Sequence, residues 1–369
     1  MRIITLSLLL CGLVIPSFGV RPPLKGYTYA SEQAPTGKEW QSPENLALNK
    51  EQPHAWFFPF QDIKSARKVL PENSIYWQSL NGNWKFNWAA DPDSRPKDFY
   101  KTDFDVTAWD NISVPSSWNI YGIQQDGSLK YGVPIYVNQP VIFMHSVKVD
   151  DWRGGVMRTP PTNWTTYKYR NEVGSFRREF EIPEHWDGRE VFISFDGVDS
   201  FFYLWINGMY VGFSKNSRNT ANFNITNYLR SGKNIVAAEV YRNSDGSFLE
   251  AQDMFRLPGI FRTVALYSTP KVQIRDLVAT PDLDNNYTDG SLTIQADIRN
   301  FGKKTAKGYK VCYSLYANKL YSDENEPVIL ATDTKGAAIR NCVVAQVEPI
   351  TTGNTQEAEK VVLKVKNPN

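Results

Sequence analysis

Cysteine and histidine are nearly missing from this chain, whose 369 residues carry 3 of each. Cys11 sits in Leu-Leu-Leu-Cys without the small residue that a lipoprotein signal places before its cysteine, so a lipid anchor is disfavoured. Cys312 and Cys342 remain, too few for a disulfide framework; one bridge between them and two free buried thiols are both open readings. His54, His145 and His185 show no metal-ligand spacing, and no Gly-x-Ser-x-Gly elbow accompanies them. Metal hydrolases and Ser-His-Asp enzymes are thereby set aside, and no Gly-rich phosphate loop is found either. Charge of one sign is lacking too: 41 basic residues stand against 39 acidic ones without a Lys/Arg cluster. Nucleic acid and anionic membrane are therefore not the expected partners. Long apolar runs are missing as well, because Ile3 to Ile15 is shorter than the roughly 20 residues that span a bilayer. With Met1-Arg2 before it and Ser17-Phe18-Gly19 after it, that run reads as a secretory signal peptide over residues 1–19. The expected location is secreted or periplasmic.

Aromatic residues are abundant, at 14% of the chain with 11 Trp and 19 Tyr. Sugars stack on such rings, and the packed core of an aromatic β-sandwich gives the same count. Residues 20–79 are polar and Pro-rich around Trp40, Trp56, Phe57, Phe58 and Phe60, and read as an arm on the surface with one short helix through Ile63 to Val69. From Leu80 the period changes to two. Asn81-Gly82 makes a turn, and Trp84, Phe86 and Trp88 then alternate along a half-buried strand. Further strands are expected over Ser175 to Ile182, Glu190 to Phe195, Phe201 to Ile206 and Met209 to Phe213, with Asn207-Gly208 as a hairpin turn between the last two. Adding Ile235 to Tyr241 and Ile260 to Tyr267 gives a jelly-roll or related β-sandwich over 80–269. A second all-β block, 270–369, has strand candidates at Val272 to Ala279, Gly290 to Ile298, Gly308 to Tyr316, Val328 to Thr332, Asn341 to Val347 and Ala358 to Val365. Six strands in about 100 residues suggest an immunoglobulin-like β-sandwich without its seventh.

Between the strands Ile235 to Tyr241 and Ile260 to Tyr267 lies a loop that mixes Asp245, Glu250, Gln252, Asp253 and Arg256 with Phe248, Leu249, Met254 and Phe255. Loops of this length without their own periodicity are often functional. A long connection pinned by an Asp253 to Arg256 ion pair is the other reading, and the residues alone leave the two even.

Six segments carry a family resemblance: Ser79-Leu80-Asn81-Gly82-Asn83-Trp84-Lys85-Phe86, Val114-Pro115-Ser116-Ser117-Trp118, Pro134-Ile135-Tyr136-Val137-Asn138, Phe195-Asp196-Gly197-Val198-Asp199-Ser200, Leu204-Trp205-Ile206-Asn207-Gly208 and the loop just described. In order and spacing through residues 40 to 270 they resemble the β-galactosidases of glycoside hydrolase family two. The loop departs from the commoner Leu-Glu-Asp-Gln-Asp-Met-Trp-Arg at Ala251 and Phe255, and looks like the variety found in secreted enzymes of gut Bacteroidota. The resemblance implies a sugar-binding jelly roll and an immunoglobulin-like domain, followed in the family by a catalytic (β/α)8 barrel. The family's acid/base and nucleophile are barrel glutamates about 5 Å apart, so no catalytic residue is expected here and the chain alone is expected to be inactive. By position, Asn138 would meet a galactose hydroxyl, while Asp253 would bind the hydroxymethyl end of the sugar together with Na+, in a site shared with the barrel. Mg2+ is expected only in the barrel. Glu250 and Arg256 are expected to hold the loop as scaffolding. Asn138 could instead be a turn-forming residue before Gln139-Pro140. The expected partner is a β-galactoside, with room for a homo-oligomer in the full-length enzyme; a glucuronide or mannoside would suit other relatives. A free-standing carbohydrate-binding module is the alternative from a different class. The Trp- and Pro-rich insertion Phe143 to Glu172 is expected to pack rather than to extend the cleft.

Overall fold

The computed structural model describes residues 34–68, 70–137, 171–250, 254–316 and 338–366. The first block contributes strands β1 (Ala47–Leu48), β2 (Trp77–Ser79), β3 (Gly82–Ala89), β4 (Asp110–Val114), β5 (Ile135–Val137), β6 (Val173–Glu181) and β7 (Glu190–Phe195). It continues with β8 (Val198–Asp199), β9 (Phe201–Ile206), β10 (Met209–Ser214), β11 (Ala221–Asn224) and β12 (Lys233–Tyr241). The last three are β13 (Met254–Arg256), β14 (Gly259–Ile260) and β15 (Val264–Thr269). A seven-stranded sheet in the order β1-β10-β9-β12-β6-β3-β4 and a four-stranded sheet in the order β11-β7-β15-β2 enclose the core. Every pairing in them is antiparallel. The stretch before Leu80 is thus more than a surface arm, because β1 and β2 each extend a sheet at its edge.

Side chains of alternate residues fill the space between the sheets. Trp84 and Phe86 of β3, Phe176 and Phe180 of β6, Ile193 and Phe195 of β7, and Phe202, Leu204 and Ile206 of β9 belong to one buried cluster. Each is at most 6% exposed. The other face of β9 is also buried: Phe201, Tyr203 and Trp205 form a second cluster with Trp40, Phe99, Tyr210, Phe213 and Tyr241. Residues 99 to 109 cover that outer face, where Tyr100 stacks on Trp205 with ring centroids 5.0 Å apart. Arg177 fastens the cover by donating to the carbonyls of Phe99 and Phe104 at 3.1 and 2.8 Å. The β9–β10 turn places Asn207 at φ 52° and Gly208 at φ 82°, the left-handed region that an Asn-Gly hairpin turn requires.

The second block contains β16 (Val272–Leu283), β17 (Asp289–Asn300), β18 (Lys310–Tyr316), β19 (Ala338–Gln346), β20 (Thr355–Glu357) and β21 (Val361–Lys366). β17 pairs with β16 on one side and with β20 and β21 on the other. β18 and β19 form a separate antiparallel pair, and a disulfide joins Cys312 to Cys342 across it. Ile294, Ala296, Ile298, Tyr313, Ala345 and Leu363 fill the second core. The expected strand Val328 to Thr332 lies outside the described residues. Both blocks are β-sandwiches, as the residue periodicity implied. They meet along the segment after β1: Glu51 takes both oxygens to the Arg299 guanidinium at 3.0 and 2.8 Å, and the amide of Ala55 donates to Asp276 at 2.8 Å. Beside them Phe192 stacks on Tyr267 at 5.0 Å, with Phe301 packed edge-on against Phe192.

Candidate functional site

At one end of the first sandwich, β5 and β13 form a two-stranded ribbon that joins neither large sheet. Its register pairs Met254 with Val137, Phe255 with Tyr136 and Arg256 with Ile135. Chemically this end is mixed: the surface of Phe255 is 63% exposed and that of Met254 42%, next to a cavity lined by Asp199, Arg218, Arg242, Glu250 and Arg256. Guanidinium donors, carboxylate acceptors and an exposed ring are the groups with which proteins hold polyhydroxylated ligands.

Behind the ribbon lies a buried ion pair. Glu172, just before β6, and Arg242, just after β12, have side chains 0% and 1% exposed and approach to 2.5 Å. The carboxylate of Glu172 also accepts from Trp118 Nε1 at 2.9 Å and Asn119 Nδ2 at 3.1 Å. Asn171 and Asn243 exchange side-chain-to-backbone hydrogen bonds at 3.1 and 2.9 Å, which ties the same two chain segments together. A buried charge keeps its ionised form only with such partners.

The loop after β12 is pinned at its start and at its one helical turn, Ser247–Glu250. Lys215, whose side chain is 1% exposed, pairs with Asp245 at 2.9 Å and donates to the Ser42 carbonyl. Burial draws its ammonium below the usual lysine range, against the pull of Asp245. Glu250 accepts from the amide and hydroxyl of Ser217 at 2.8 and 2.6 Å. The same hydroxyl lies 3.4 Å from Asp199, which also receives Arg218 at 3.3 Å. Asp199 is 17% exposed, and burial, with Glu250 nearby, pushes its carboxyl up to about 6 although Arg218 opposes the shift. Burial likewise lowers the guanidinium of Arg256, while the charge of Asp199 favours it.

Of the residues expected to touch a sugar or sodium, both Asn138 and Asp253 lie outside the described residues, as do Ala251, Gln252 and most of the insertion. The two ends of that insertion's return, Asn171 and Glu172, are buried in the network above. Glu250 and Arg256 are described, and both border the loop. Among the described residues no group of three or more His, Cys, Asp or Glu forms a metal cluster. Residue-by-residue reading missed the Glu172–Arg242 pair and the group of Asp199, Ser217 and Arg218. A usable signal existed for Arg242: a lone arginine directly follows the apolar strand Ile235 to Tyr241, where a charge entering a core needs a partner.

Two facing antiparallel sheets with a separate two-stranded ribbon define an antiparallel β-sandwich. The model of the sugar-binding domain of glycosyl hydrolases family 2 matches residues 77–270, more than half of the chain, and the chain belongs to that family. Among curated relatives, it is similar to a β-galactosidase of Priestia megaterium, 43% identical over 264 residues that cover 71% of this chain and 24% of that protein. It is also similar to the β-galactosidase large subunit of Lactobacillus helveticus, 32% identical over 78% of this chain and 44% of that one. The chain therefore spans less than half the length of these relatives. Among solved structures, a β-glucuronidase of Bacteroides uniformis superposes with a TM-score of 0.53 at 17% identity, over 79% of this chain and 28% of the other, a likeness of fold.

Proposed function

We propose that these residues are the sugar-binding and immunoglobulin-like portion of a secreted β-galactosidase, and that they lend substrate contacts to the catalytic barrel of such an enzyme. The pairing of Val137 with Met254 carries this reading. In the sequence, Asn138 directly follows Val137 and Asp253 directly precedes Met254, the two residues of that pair. Relatives bearing the β-galactosidase name at 43% and 36% identity favour a galactoside as the ligand. Asn138 would then donate to and accept from a galactose hydroxyl, and Asp253 would accept from the hydroxymethyl group and offer oxygen to Na+, a hard cation that prefers oxygen ligands. Residues 1–369 purified by themselves are expected to bind weakly and to hydrolyse nothing, because lone loop residues rarely offset the cost of ordering a monosaccharide.

The test pairs two measurements on the purified chain. A chromogenic β-galactoside should show no turnover, and titration with lactose should shift the amide resonances of Tyr136, Val137, Met254 and Phe255. Turnover by the chain alone, or shifts confined to the opposite end of the sandwich, would overturn the reading.

A further inference from the structure

Resting on that reading, we infer that Arg242, neutralised by Glu172, is the positioning residue that holds the β5–β13 ribbon, and with it the sugar-binding half-site, against the sandwich.

The ribbon needs such a device. Two strands of three residues each are too few to be stable alone in water, and this pair shares no ladder with either large sheet. Arg242 supplies the missing tether from one planar group. One terminal nitrogen meets the Glu172 carboxylate, and the other donates to the carbonyl of Val133 at 2.9 Å and to the carbonyl of Arg256 at 3.3 Å. Val133 lies two residues before β5, and Arg256 is the last residue of β13, so the guanidinium grips both strands at the end where they enter the protein. Its backbone amide closes the frame by donating to the Glu172 carbonyl at 2.9 Å. Trp118 and Asn119 then hold the carboxylate itself, which leaves the fork little freedom to swing.

A second observation points to the same frame from the other side. Gly132 adopts φ +73°, and a Cβ placed there would lie 2.3 Å from Glu172 Oε1. The chain can pass this close over the carboxylate on its way into β5 only without a side chain. Gly132 is therefore part of the seat, and any residue larger than glycine would push either the carboxylate or the ribbon away.

Two variants approach the clamp separately. Arg242→Lys keeps a cation for Glu172 but loses the planar fork, and Gly132→Ala leaves the ion pair's residues in place but crowds the seat. Amide hydrogen exchange is followed in the ribbon, Ile135–Val137 and Met254–Arg256, and in the paired core strands β6 and β12, with lactose titration in parallel. In both variants the ribbon should exchange about tenfold faster or more while β6 and β12 stay within about twofold of the unaltered chain, and lactose shifts should weaken with the ribbon. Unchanged ribbon exchange would overturn the inference. So would equal acceleration of ribbon and core, which would make Arg242 a general stabiliser. If one variant fails to fold, the other decides. Absence of lactose shifts in the unaltered chain would instead defeat the sugar-binding reading, and the exchange rates would still settle the clamp.

Discussion

Asp276 on β16 stands directly opposite Asp297 on β17, and Asp297 in turn faces Glu357 on β20. Three carboxylates side by side across three strands repel one another, and like charges in this arrangement destabilise a sheet. Burial raises the Asp297 carboxyl above its usual range, Glu357 and Asp276 push it further, and Arg275 and Arg299 oppose them. The folded state thus holds the proton of Asp297 more tightly than the unfolded chain does, so this residue weakens the fold as pH rises through its raised value. Asp297→Asn should stabilise the protein by about 0.5 kcal/mol at pH 7. Thermal melts should show the gain shrinking as pH falls toward 4, and a gain independent of pH would assign it to something other than charge.

Asp199 has a similar sign, and burial is again the leading cause. Its carboxyl is pushed up to about 6 mainly by burial, so it too binds its proton more tightly when folded. The stability it contributes is fully present below its unfolded value near 4 and is lost as pH rises through about 6. The loss amounts to at most about 3 kcal/mol, from about 1.4 kcal/mol for each unit. Denaturation in urea at pH 4.5, 5.5 and 6.5 should therefore show a declining contribution that Asp199→Asn removes. If the variant and the unaltered chain change in parallel over that range, another group is responsible.

Much of the fold was legible because period-two patterns survive wherever one strand face is wet. The strand Gly82–Ala89, with Trp84 and Phe86 buried between more exposed neighbours, and the hairpin through Asn207-Gly208 occur where the residues placed them. The stretch Phe201–Ile206 shows the limit of such reading. All six residues are buried, because Trp40 and the segment from Phe99 to Trp109 cover the face that would otherwise be polar. Only tertiary contact supplies that cover, and no local pattern in residues 34–68 announces it. The clamp was hidden for a related reason: Glu172 and Arg242 are 70 residues apart, and charge pairing over that distance leaves no periodic trace.

The joint between the two sandwiches also rests on a charge pair. Glu51 is 5% exposed on its side chain and Arg299 15%, and Arg299 Nη1 donates to both carboxylate oxygens of Glu51. Removing one partner of such a pair leaves a largely buried charge uncompensated, a loss of about 3 kcal/mol. Arg299→Met should therefore destabilise the contact more than either core. Calorimetry should show one melting transition in the unaltered chain and two in the variant, with the second sandwich melting first. A single transition shifted as a whole would mean that Phe192, Tyr267 and Phe301 hold the blocks together without the ion pair.

Sodium offers the sharpest test of the proposed half-site, because it separates the roles of the two candidate ligands. If Asp253 binds both the sugar and the cation, lactose affinity should be higher in NaCl than in KCl at equal ionic strength. Asp253→Asn keeps an oxygen acceptor and nearly the same shape but loses the charge that a hard cation requires. It should abolish the difference between the salts and weaken lactose by about tenfold, roughly 1.4 kcal/mol. Asn138→Ala removes a neutral hydrogen-bonding group, so it should weaken lactose in both salts while leaving their ratio unchanged. Amide shifts at Met254 and Phe255 report binding for each protein in each salt. Equal sensitivity to sodium in the unaltered chain and in Asp253→Asn would show that Asp253 is not a cation ligand, whatever its part in binding the sugar.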